Sequence, residues 1–409
     1  MKEFFKVTEL AKVLETASAF PRVMTEEIPL EQAGDRILAE NVVADSNLPD
    51  FPRATMDGYA VFASSTFGAS DGNPAYLTVY GAVEMGQSPD FSISPGQACR
   101  IPTGGELPAG TDSVVMIEHV AKLDDTTIEV YRSVAPGQHV LTVGEDFKNK
   151  DTIIAAGQKL RPQECGLLAA FGRATVTVYK KPVIGIISTG DEVVSISETP
   201  GPGQIRDINS YTLSGQVLKA GGFPVSYGIV ADDYDALSDR CRTALDCSDM
   251  VLLSGGSSVG TRDYTIEVIS DLPDAGILVH GISISPGKPT ILAKAMNKSV
   301  WGLPGHVVSA MVVFKMVVLP YIEHIAGMTA ASRQSPGISA RLNRNISSAQ
   351  GRTDFIRVRF VRKNGELLAE PVLGKSGLIN TMIKADGLIA VDINTEGLDE
   401  GAMVEVIPL

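Results

Sequence analysis

The sequence has little positive charge and few cysteines for its length. Its 409 residues include 35 Lys and Arg against 48 Asp and Glu, which gives a formal net charge of −13. Such a surface repels a phosphate backbone, so general nucleic-acid binding is not expected. An anionic small molecule still requires a locally screened or metal-containing pocket. The four cysteines form no C-x-x-C pair, which favours reduced core thiols over a disulfide framework or a zinc site.

Long hydrophobic runs and histidine motifs are also scarce. The charged N-terminus lacks a signal-peptide pattern, and the longest apolar stretch, Val307 to Ile322, contains Lys315 and Pro320. This stretch is shorter than a membrane span needs, so we expect a cytoplasmic protein without membrane contact. None of the five histidines forms an H-E-x-x-H pattern, and no G-x-S-x-G sequence occurs. A zinc hydrolase and a serine hydrolase are therefore not expected.

The chain changes character along its length in a way that suggests several domains. At about 150 residues per domain, the length alone suggests roughly three units. An apolar fraction of 44% is enough for cores of ordinary size. The pattern predicts an N-terminal unit from residues 1–46 plus 145–178, a β-rich insert at 47–144, an α/β domain at 179–327 and a strand-rich tail at 328–409.

Within 179–327, strand and helix patterns alternate. Strands are predicted at 183–187, 225–230, 250–253, 277–282, 291–293 and 300–302, and helices at 210–220, 235–245, 264–270 and 306–327. This alternation is typical of a doubly wound, mostly parallel sheet. In the tail, Asn364-Gly365 between two apolar runs predicts a β-hairpin.

Ligands of open α/β sheets bind beyond the carboxyl ends of the strands. Five polar, glycine-bearing loops follow the predicted strands, although each alone is usually an ordinary turn. Together they predict a ligand site whose candidate residues are Thr189, Gly190, Asp191, Glu192, Asp232, Asp233, Ser254, Gly255, Gly256, Ser257, Gly260, Asp263, Pro286, Gly287, Lys288, Pro304 and Gly305.

The glycine-rich loop at 255–260 has the Gly-x4-Gly spacing of a Walker A loop but not its lysine. Thr261-Arg262 stands where Lys-Ser/Thr would be, which rejects a P-loop NTPase, and the G-x-G-x-x-G pattern is absent as well. The loop can still present backbone N–H groups to an anion or to the edge of a heteroaromatic ring. The alternative interpretation is a tight strand-to-helix turn.

Carboxylates dominate these loops, and they would repel an anionic ligand unless a hard cation intervened. Mg²⁺ is the natural choice, held by one or two carboxylates and substrate phosphate oxygens. Lys288 is the candidate fixed positive charge. The alternative is that the acids are solvated surface residues or helix caps, as Asp233 and Asp235 could be. In the insert, Asp57-Gly58 is either a site acid or a hairpin turn. The segment from Arg100 to Gly105 is either a second loop that could bind an anion or an ordinary turn.

In this order, the loops resemble those of the molybdopterin molybdenumtransferase family, which includes bacterial MoeA and the E domain of gephyrin. The likeness covers essentially the whole chain, and the combination is highly specific. It rests on the segments 56–61, 102–104, 144–146, 188–192, 232–233, 254–260, 263–265, 286–289, 303–305, 351–355 and 374–377.

The resemblance implies a fold, a reaction and a set of roles. It implies an elongated four-domain subunit with a molybdopterin-binding α/β domain and a C-terminal β-barrel, acting as a homodimer. The implied reaction takes adenylylated molybdopterin and molybdate, cleaves the phosphoanhydride with Mg²⁺ and releases AMP and molybdenum cofactor. Molybdopterin adenylyltransferase and molybdoenzymes are the implied protein partners. Catalytic roles fall on Asp57, Thr103, Glu192, Asp232, Asp263 and Lys288, and metal binding on Asp57, Glu192 and Asp263.

The resemblance also implies where these groups come from. Asp57 and Thr103 would come from the insert of the other subunit, and Pro304 would shape the wall of the cleft. With Mg²⁺ offsetting the repulsion between two anionic substrates, catalysis would consist mostly of placement and electrostatics.

The chain departs from the family pattern at two lysines and in one loop. Ser285 and Gly281 stand at positions that are lysine in many members, and His306-Val307 replaces Asn-Pro after Leu303-Pro304-Gly305. Two cations that could attract molybdate are therefore missing. Either Lys288, Arg262 or His306 compensates, or the oxyanion is handled differently. His306 is interpreted as a helix N-terminal residue rather than a ligand.

The departures leave two alternatives beside the enzyme. The protein could be a non-catalytic cofactor carrier or scaffold, or it could carry out the same reaction with tungstate. Asp57, Glu192, Asp232 and Asp263 argue for the enzyme, because a pure scaffold does not need all four acids.

Overall fold

The computed structural model describes residues 7–255, 264–333 and 337–409. The chain folds into two compact units. The insert unit comprises residues 41–155 and 167–172, and the main unit comprises residues 1–40, 156–166 and 173–409.

The insert unit is built on a six-stranded sheet with both faces covered. One face packs Tyr59, Val61 and Leu77, and the other packs Ala60 and Cys99, because successive side chains of a strand point to opposite faces. In spatial order the strands are Ser113–Met116, Gly58–Val61, Gln97–Ile101, Ala75–Ala82, Thr127–Val130 and Val120–Lys122. Short pairs join Val42–Val43 to Thr152–Ile154 and Arg53–Ala54 to Val140–Leu141.

The main unit contains the central sheet, which has six strands in the order Phe223–Val230, Val183–Thr189, Met250–Ser254, Lys298–Leu303, Ile291–Ala295 and Gly276–His280. The first four strands are parallel, and the last two add antiparallel pairings. Strand Val183–Thr189 is almost wholly buried, as expected where helices cover both faces of a sheet. The prediction of a doubly wound, mostly parallel sheet is confirmed.

The helices around this sheet lie close to their predicted positions. The helices of the chain span Leu10–Glu15, Pro162–Ala170, Asn209–Lys219, Tyr234–Cys247, Thr265–Ser270, Val307–Val313, Leu319–Ile325 and Asn380–Ile383, with single 3₁₀ turns at Thr16–Ala19, Leu30–Gln32 and Ala331–Arg333. The insert unit adds 3₁₀ turns at Ala63–Thr66 and Ile117–His119. Strand Thr25–Pro29 pairs with Thr175–Tyr179, which brings the N-terminal segment beside the segment that follows the insert.

The apolar stretch after His306 forms one continuous helical segment, Val307–Ile325, in which Phe314–Val318 is a π-helical turn. Its 19 residues lie within the predicted helix 306–327, and Pro320 lies in the first turn of Leu319–Ile325 without ending the helical segment. By length and composition alone it could cross a membrane, but 61% of it is buried inside the protein. Trp301 stacks edge-on against Tyr321 at 4.8 Å between ring centroids. The segment is therefore a core helix.

The tail forms a small closed barrel. Five strands pair in a ring, since Thr353–Lys363 pairs with strands at both ends of the series; the others are Glu366–Pro371, Ile338–Leu342, Met403–Pro408 and Gly387–Val391. Short strands Ile346–Ser347 and Gly397–Leu398 pair beside it, and Ile284–Ser285 adds to its edge. Asn364 and Gly365 have positive φ, as the predicted hairpin turn requires.

All four cysteines are free, as predicted. Burial raises the pKa of the Cys99 thiol to about 11 and that of Cys241 to about 12. Both are therefore protonated core side chains at neutral pH.

Candidate functional site

Four parallel strands of the central sheet end at one edge. The register pairs Thr189 with Val230, Ser188 with Ser254, and Ser254 with Leu303. The loops that follow these strands therefore leave the sheet side by side, as the sequence predicted. Residues that were up to about a hundred positions apart in the chain become neighbours at this edge.

Asn209 ties two of these loops together. Its amide donates to Ser254 Oγ at 2.6 Å and to the Gly305 carbonyl oxygen at 2.8 Å, while its own oxygen is buried without a partner among the described residues. Just before it, Asp207 accepts a hydrogen bond from the Ser210 N–H at 3.1 Å. Sequence reasoning missed both residues. Their place at the start of a helix that follows a sheet-edge loop is the signal that could have found them.

Gly255 lets the backbones of neighbouring loops approach closely. Its φ is +119°, and a Cβ at this position would overlap with the Thr189 carbonyl oxygen. A Cβ on Gly305 would lie 3.7 Å from the Gly255 Cα. Only glycine fits at position 255, because the positive φ strains other residues and a side chain would overlap with the neighbouring backbone.

The predicted carboxylates differ in what they contact. Asp232 accepts from Thr189 Oγ1 at 2.9 Å and its N–H donates to Asp191 Oδ1 at 3.0 Å. Asp233 caps the following helix through the Ala236 N–H, which confirms the capping interpretation. The Glu192 carboxylate makes no hydrogen bond or ion pair to any other described residue, and a Cβ on Gly190 would lie 2.7 Å from its Oε2. Glu192 is therefore the carboxylate that is free to meet a ligand.

Two adjoining cavities open at this edge. The first has a volume of about 180 Å³ and the second about 640 Å³. The walls of the first include Thr189, Glu192, Asp207, Asn209, Ser254, Gly255, Gly305 and Gly377. The walls of the second include Glu192, Gly255, Ser285, Pro286, Gly287, Lys288, Pro304, Gly305, His306, Ser309, Arg352 and Ser376. Glu192, Ile205, Gly255, Gly305 and His306 line both cavities. Most of the predicted binding residues therefore lie together.

The second cavity carries positive charge and hydroxyl groups. Lys288 lines it as predicted, and Arg352 joins from the barrel, with its Nε 2.8 Å from Oδ1 of the buried Asp354. Ser376, also from the tail, lies with its Oγ 3.1 Å from His306 Nδ1. His306 is the N-cap residue of Val307–Val313, as predicted, and it also faces the cavity. Two cations and several hydroxyl donors around one space can hold an oxyanion.

Sequence reasoning assigned no role to Arg352 or Ser376. Both lie in tail segments that carry the family resemblance, at 351–355 and 374–377, and that resemblance was the signal that could have found them. Only the packing of the tail against the central sheet shows that they reach the same cavity as Lys288.

In the insert unit, Asp57 and Thr103 form one cluster. The Asp57 carboxylate accepts from the Thr103 N–H at 2.6 Å and from Thr103 Oγ1 at 2.8 Å. These two donors, the backbone one first, lower the pKa of Asp57, with a smaller effect from the Arg100 charge. Gly58 begins a strand, where a Cβ would overlap with the Val115 carbonyl oxygen. Asp57-Gly58 is therefore not a hairpin turn.

We expect a Thr103→Val substitution to raise the pKa of Asp57 only part of the way toward its ordinary value. The substitution removes the hydroxyl donor, but the backbone N–H, which is the larger cause, remains. Carboxyl-carbon NMR titration would measure the change. Asp124, which accepts a matching pair of hydrogen bonds from Thr126, is the internal control and should not shift. An unchanged Asp57 pKa would contradict the role of the hydroxyl.

Some predicted residues lie outside the described part of the chain. These are Gly256, Ser257, Gly260, Arg262 and Asp263. Among residues 7–255, 264–333 and 337–409, no three His, Cys, Asp or Glu side chains gather as a metal-binding group. The predicted metal set of Asp57, Glu192 and Asp263 has one member in each unit and one outside these ranges.

Comparison with known proteins covers nearly the whole chain. Residues 6–172 match the family model described as MoeA N-terminal region (domain I and II), and residues 339–409 match MoeA C-terminal region (domain IV). Residues 185–324, which contain the central sheet and its loops, match the family model described as "Probable molybdopterin binding domain". A Bacillus subtilis protein named molybdopterin molybdenumtransferase is 32% identical over 94% of this chain and 89% of its own. The chain belongs to the molybdopterin molybdenumtransferase family.

Further relatives agree with this membership. A Haemophilus influenzae molybdopterin molybdenumtransferase is 32% identical over 95% of both chains. The crystal structure of a molybdopterin biosynthesis MoeA protein from Pyrococcus horikoshii OT3 superposes with a TM-score of 0.84 at 30% identity, covering 99% of this chain and 100% of that one. The family predicted from the sequence is confirmed, and membership of the molybdopterin molybdenumtransferase family makes the protein an enzyme of the transferase class.

Proposed function

We propose that this protein inserts molybdate into adenylylated molybdopterin and releases AMP in a Mg²⁺-dependent reaction, giving molybdenum cofactor. The observation that carries the proposal is the pairing of two adjoining cavities at one sheet edge. The first is lined by hydrogen-bonding loops, and the second by Lys288 and Arg352. Glu192, which lines both, has a carboxylate without a protein partner among the described residues.

The first cavity suits the pterin and its phosphate. Thr189, Ser254 and Asn209 place hydroxyl and amide groups in its wall, and Gly255 allows backbone to approach a ligand closely. Such groups can recognise the polar edge of a pterin ring without any covalent role. Asp232 holds the Thr189 hydroxyl by its hydrogen bond and so acts as a positioning residue in this proposal.

The second cavity suits the incoming oxyanion. Molybdate is a dianion, and Lys288 and Arg352 supply two positive charges to the cavity wall. Asp354 holds the Arg352 guanidinium in place, so that its remaining N–H groups are oriented before the oxyanion arrives. This arrangement compensates for Ser285 and Gly281, the two positions that lack the family lysines. At Gly281 the φ of +97° favours glycine over a lysine.

The carboxylates fit a hard cation. Mg²⁺ prefers oxygen ligands and is usually held by one or two carboxylates together with phosphate oxygens, and Glu192 offers an unpaired carboxylate between the two cavities. In this proposal Glu192 and Asp263 hold the ion, with Asp57 from the insert of a second subunit. When bound, the ion polarises the phosphoanhydride and offsets the repulsion between the two anionic substrates. The Thr103 donors lower the pKa of Asp57 and so stabilise its carboxylate form further.

The remaining parts of the proposal follow from family membership. We propose a cytoplasmic homodimer in which the insert of each subunit brings Asp57 and Thr103 to the cleft of the other. A molybdopterin adenylyltransferase would supply the substrate, and molybdoenzymes would receive the product.

Release of AMP tests the proposed reaction. Purified protein incubated with adenylylated molybdopterin, molybdate and Mg²⁺ should form AMP, measured by chromatography, and omission of either ion should abolish it. If no AMP forms above background while the pterin nucleotide still binds, the protein is a carrier or scaffold and the enzyme proposal is wrong. Replacing molybdate with tungstate in the same assay decides which oxyanion the protein prefers.

The same assay tests the oxyanion site. We expect Lys288→Met to raise the molybdate concentration for half-maximal AMP release at least tenfold, because a hydrogen bond to a charged group contributes about 1.5–3 kcal/mol. Lys363→Met, on the exposed hairpin of the barrel, removes the same charge and is the matched control. Equal responses of the two variants would mean that Lys288 does not contact the oxyanion.

A further inference from the structure

A third cavity of the main unit lies apart from the site described above. It has a volume of about 440 Å³ and is lined by parts of helices Asn209–Lys219 and Val307–Ile325, by 328–333 and by the tail. None of its lining residues lines either cavity at the sheet edge. Its volume falls in the range of small-molecule pockets. Its apolar wall consists of Met311, Phe314, Leu319, Met328 and Met382.

Around this apolar wall, positive charge is in excess. Four basic side chains, Lys159, Lys219, Lys315 and Arg333, line the cavity against one acidic side chain, Glu323. This balance is the reverse of that of the whole chain, whose formal net charge is −13. Burial and repulsion from Lys219 lower the pKa of Lys315, and burial raises that of Glu323. An anion in the cavity would relieve the repulsion between the two lysines.

Two of these four basic side chains have a nitrogen atom without a partner among the described residues. Lys219 Nζ donates to a backbone oxygen of Leu409 at 2.6 Å, and Lys159 Nζ lies 2.8 Å from Asp35 Oδ1, so both are engaged. The Lys315 ammonium, by contrast, makes no hydrogen bond or ion pair to another described residue. The Nε of Arg333 is also buried with no partner among the residues described. A buried donor without a partner lowers the stability of the fold, and a bound acceptor would offset that cost.

The backbone is irregular at the same place. Phe314–Val318 forms a π-helical turn within the long core helix, and Phe314 and Lys315 from this turn both line the cavity. Single π turns inside α-helices are rare and occur frequently at functional sites. Here the turn presents an apolar ring and an ammonium group to one space.

We propose that this cavity binds a small amphipathic anion, with an apolar body against the methionine-rich wall and its charged group at Lys315 and Arg333. Methionine side chains adapt to irregular shapes, so the wall suits an aromatic or aliphatic body. This site is independent of the proposed transferase reaction, since its residues play no part in that reaction.

Three probes test the ligand class by titration calorimetry with the full chain. 1-Naphthalenesulfonate has both an apolar ring system and a negative charge. 1-Naphthalenemethanol has the ring system without the charge, and inorganic sulfate has the charge without the ring system. We expect 1-naphthalenesulfonate to bind at one site, at least tenfold more tightly than either of the others. Equal binding of the sulfonate and the alcohol, or of the sulfonate and sulfate, would overturn the proposal.

Two variants locate the binding. Lys315→Met removes the charge and keeps an unbranched side chain, whereas Ala385→Phe fills the cavity from the tail side. Each should weaken 1-naphthalenesulfonate binding at least tenfold, with an unchanged circular dichroism spectrum. Lys122→Met, on a strand of the insert unit, is the control and should bind like the wild type. Full binding by either folded variant would place the probe elsewhere and refute the assignment.

Discussion

Glu192→Gln is expected to lower the rate of AMP release at least a hundredfold. Glutamine keeps the size of the side chain and removes the charge that lies between the two cavities. Loss of one charged contact that acts at the reacting phosphate typically costs about two to three powers of ten in rate. The rate should be measured over a series of Mg²⁺ concentrations, because a lost metal ligand shifts the requirement to higher Mg²⁺.

Glu198→Gln is the matched control for this variant. Glu198 is also exposed and lies on the same connection, but it lines neither cavity. It should release AMP at the wild-type rate and with the wild-type Mg²⁺ requirement. Wild-type activity of Glu192→Gln would remove the central carboxylate from the proposed mechanism, whereas equal losses in both variants would indicate a general effect of charge.

Gly255→Ala should cause the second large loss, in both stability and activity. The added methyl group would overlap with the Thr189 carbonyl oxygen, and alanine is strained at a φ of +119°. Backbone strain of this kind costs about 1–3 kcal/mol, and the steric overlap adds to it. Because Gly255 lines both cavities, their shared wall must move, and we expect AMP release to fall at least tenfold. Urea unfolding and the AMP assay measure the two effects.

Gly221→Ala is the control for this variant, because it adds backbone strain without a steric overlap of the new methyl group. Gly221 has a φ of +82°, but a Cβ there would meet no atom within 4 Å. This substitution should cost about 1 kcal/mol and leave AMP release unchanged. If both variants lose the same stability and keep full activity, the close approach of Gly255 to Thr189 has no functional role.

Local patterns were sufficient to predict the central sheet and its helices. Strand Val183–Thr189 and helix Tyr234–Cys247, for example, lie within two residues of their predicted bounds. Hydrophobic periodicity and turn residues act over short distances along the chain, so they can be recognised without the fold. The long helix predicted at 306–327 is likewise present as Val307–Ile325, although no local pattern indicated the π-helical turn at Phe314–Val318.

The candidate site was predictable only in part. The loops after the parallel strands could be assembled from the sequence, because such strands present their carboxyl ends at one edge. From the sequence alone, Asp232 and Glu192 are equivalent acids in loops at this edge. Only the structure shows that Thr189 donates to Asp232, whereas the Glu192 carboxylate lacks a partner among the described residues. Arg352 and Ser376 reach the second cavity from strands and loops of the barrel, which long-range packing places there.

The sequence by itself determined the family, the order of its segments and the sheet edge at which the binding loops converge, since each of these depends on short-range patterns or motifs. Tertiary structure alone decided that the Glu192 carboxylate lacks a partner among the described residues, which cations face the second cavity and where a π turn brings Phe314 and Lys315 to a separate cavity. The reason is physical: hydrogen-bond partners and burial arise from contacts between residues far apart in the chain, and no local pattern encodes those contacts.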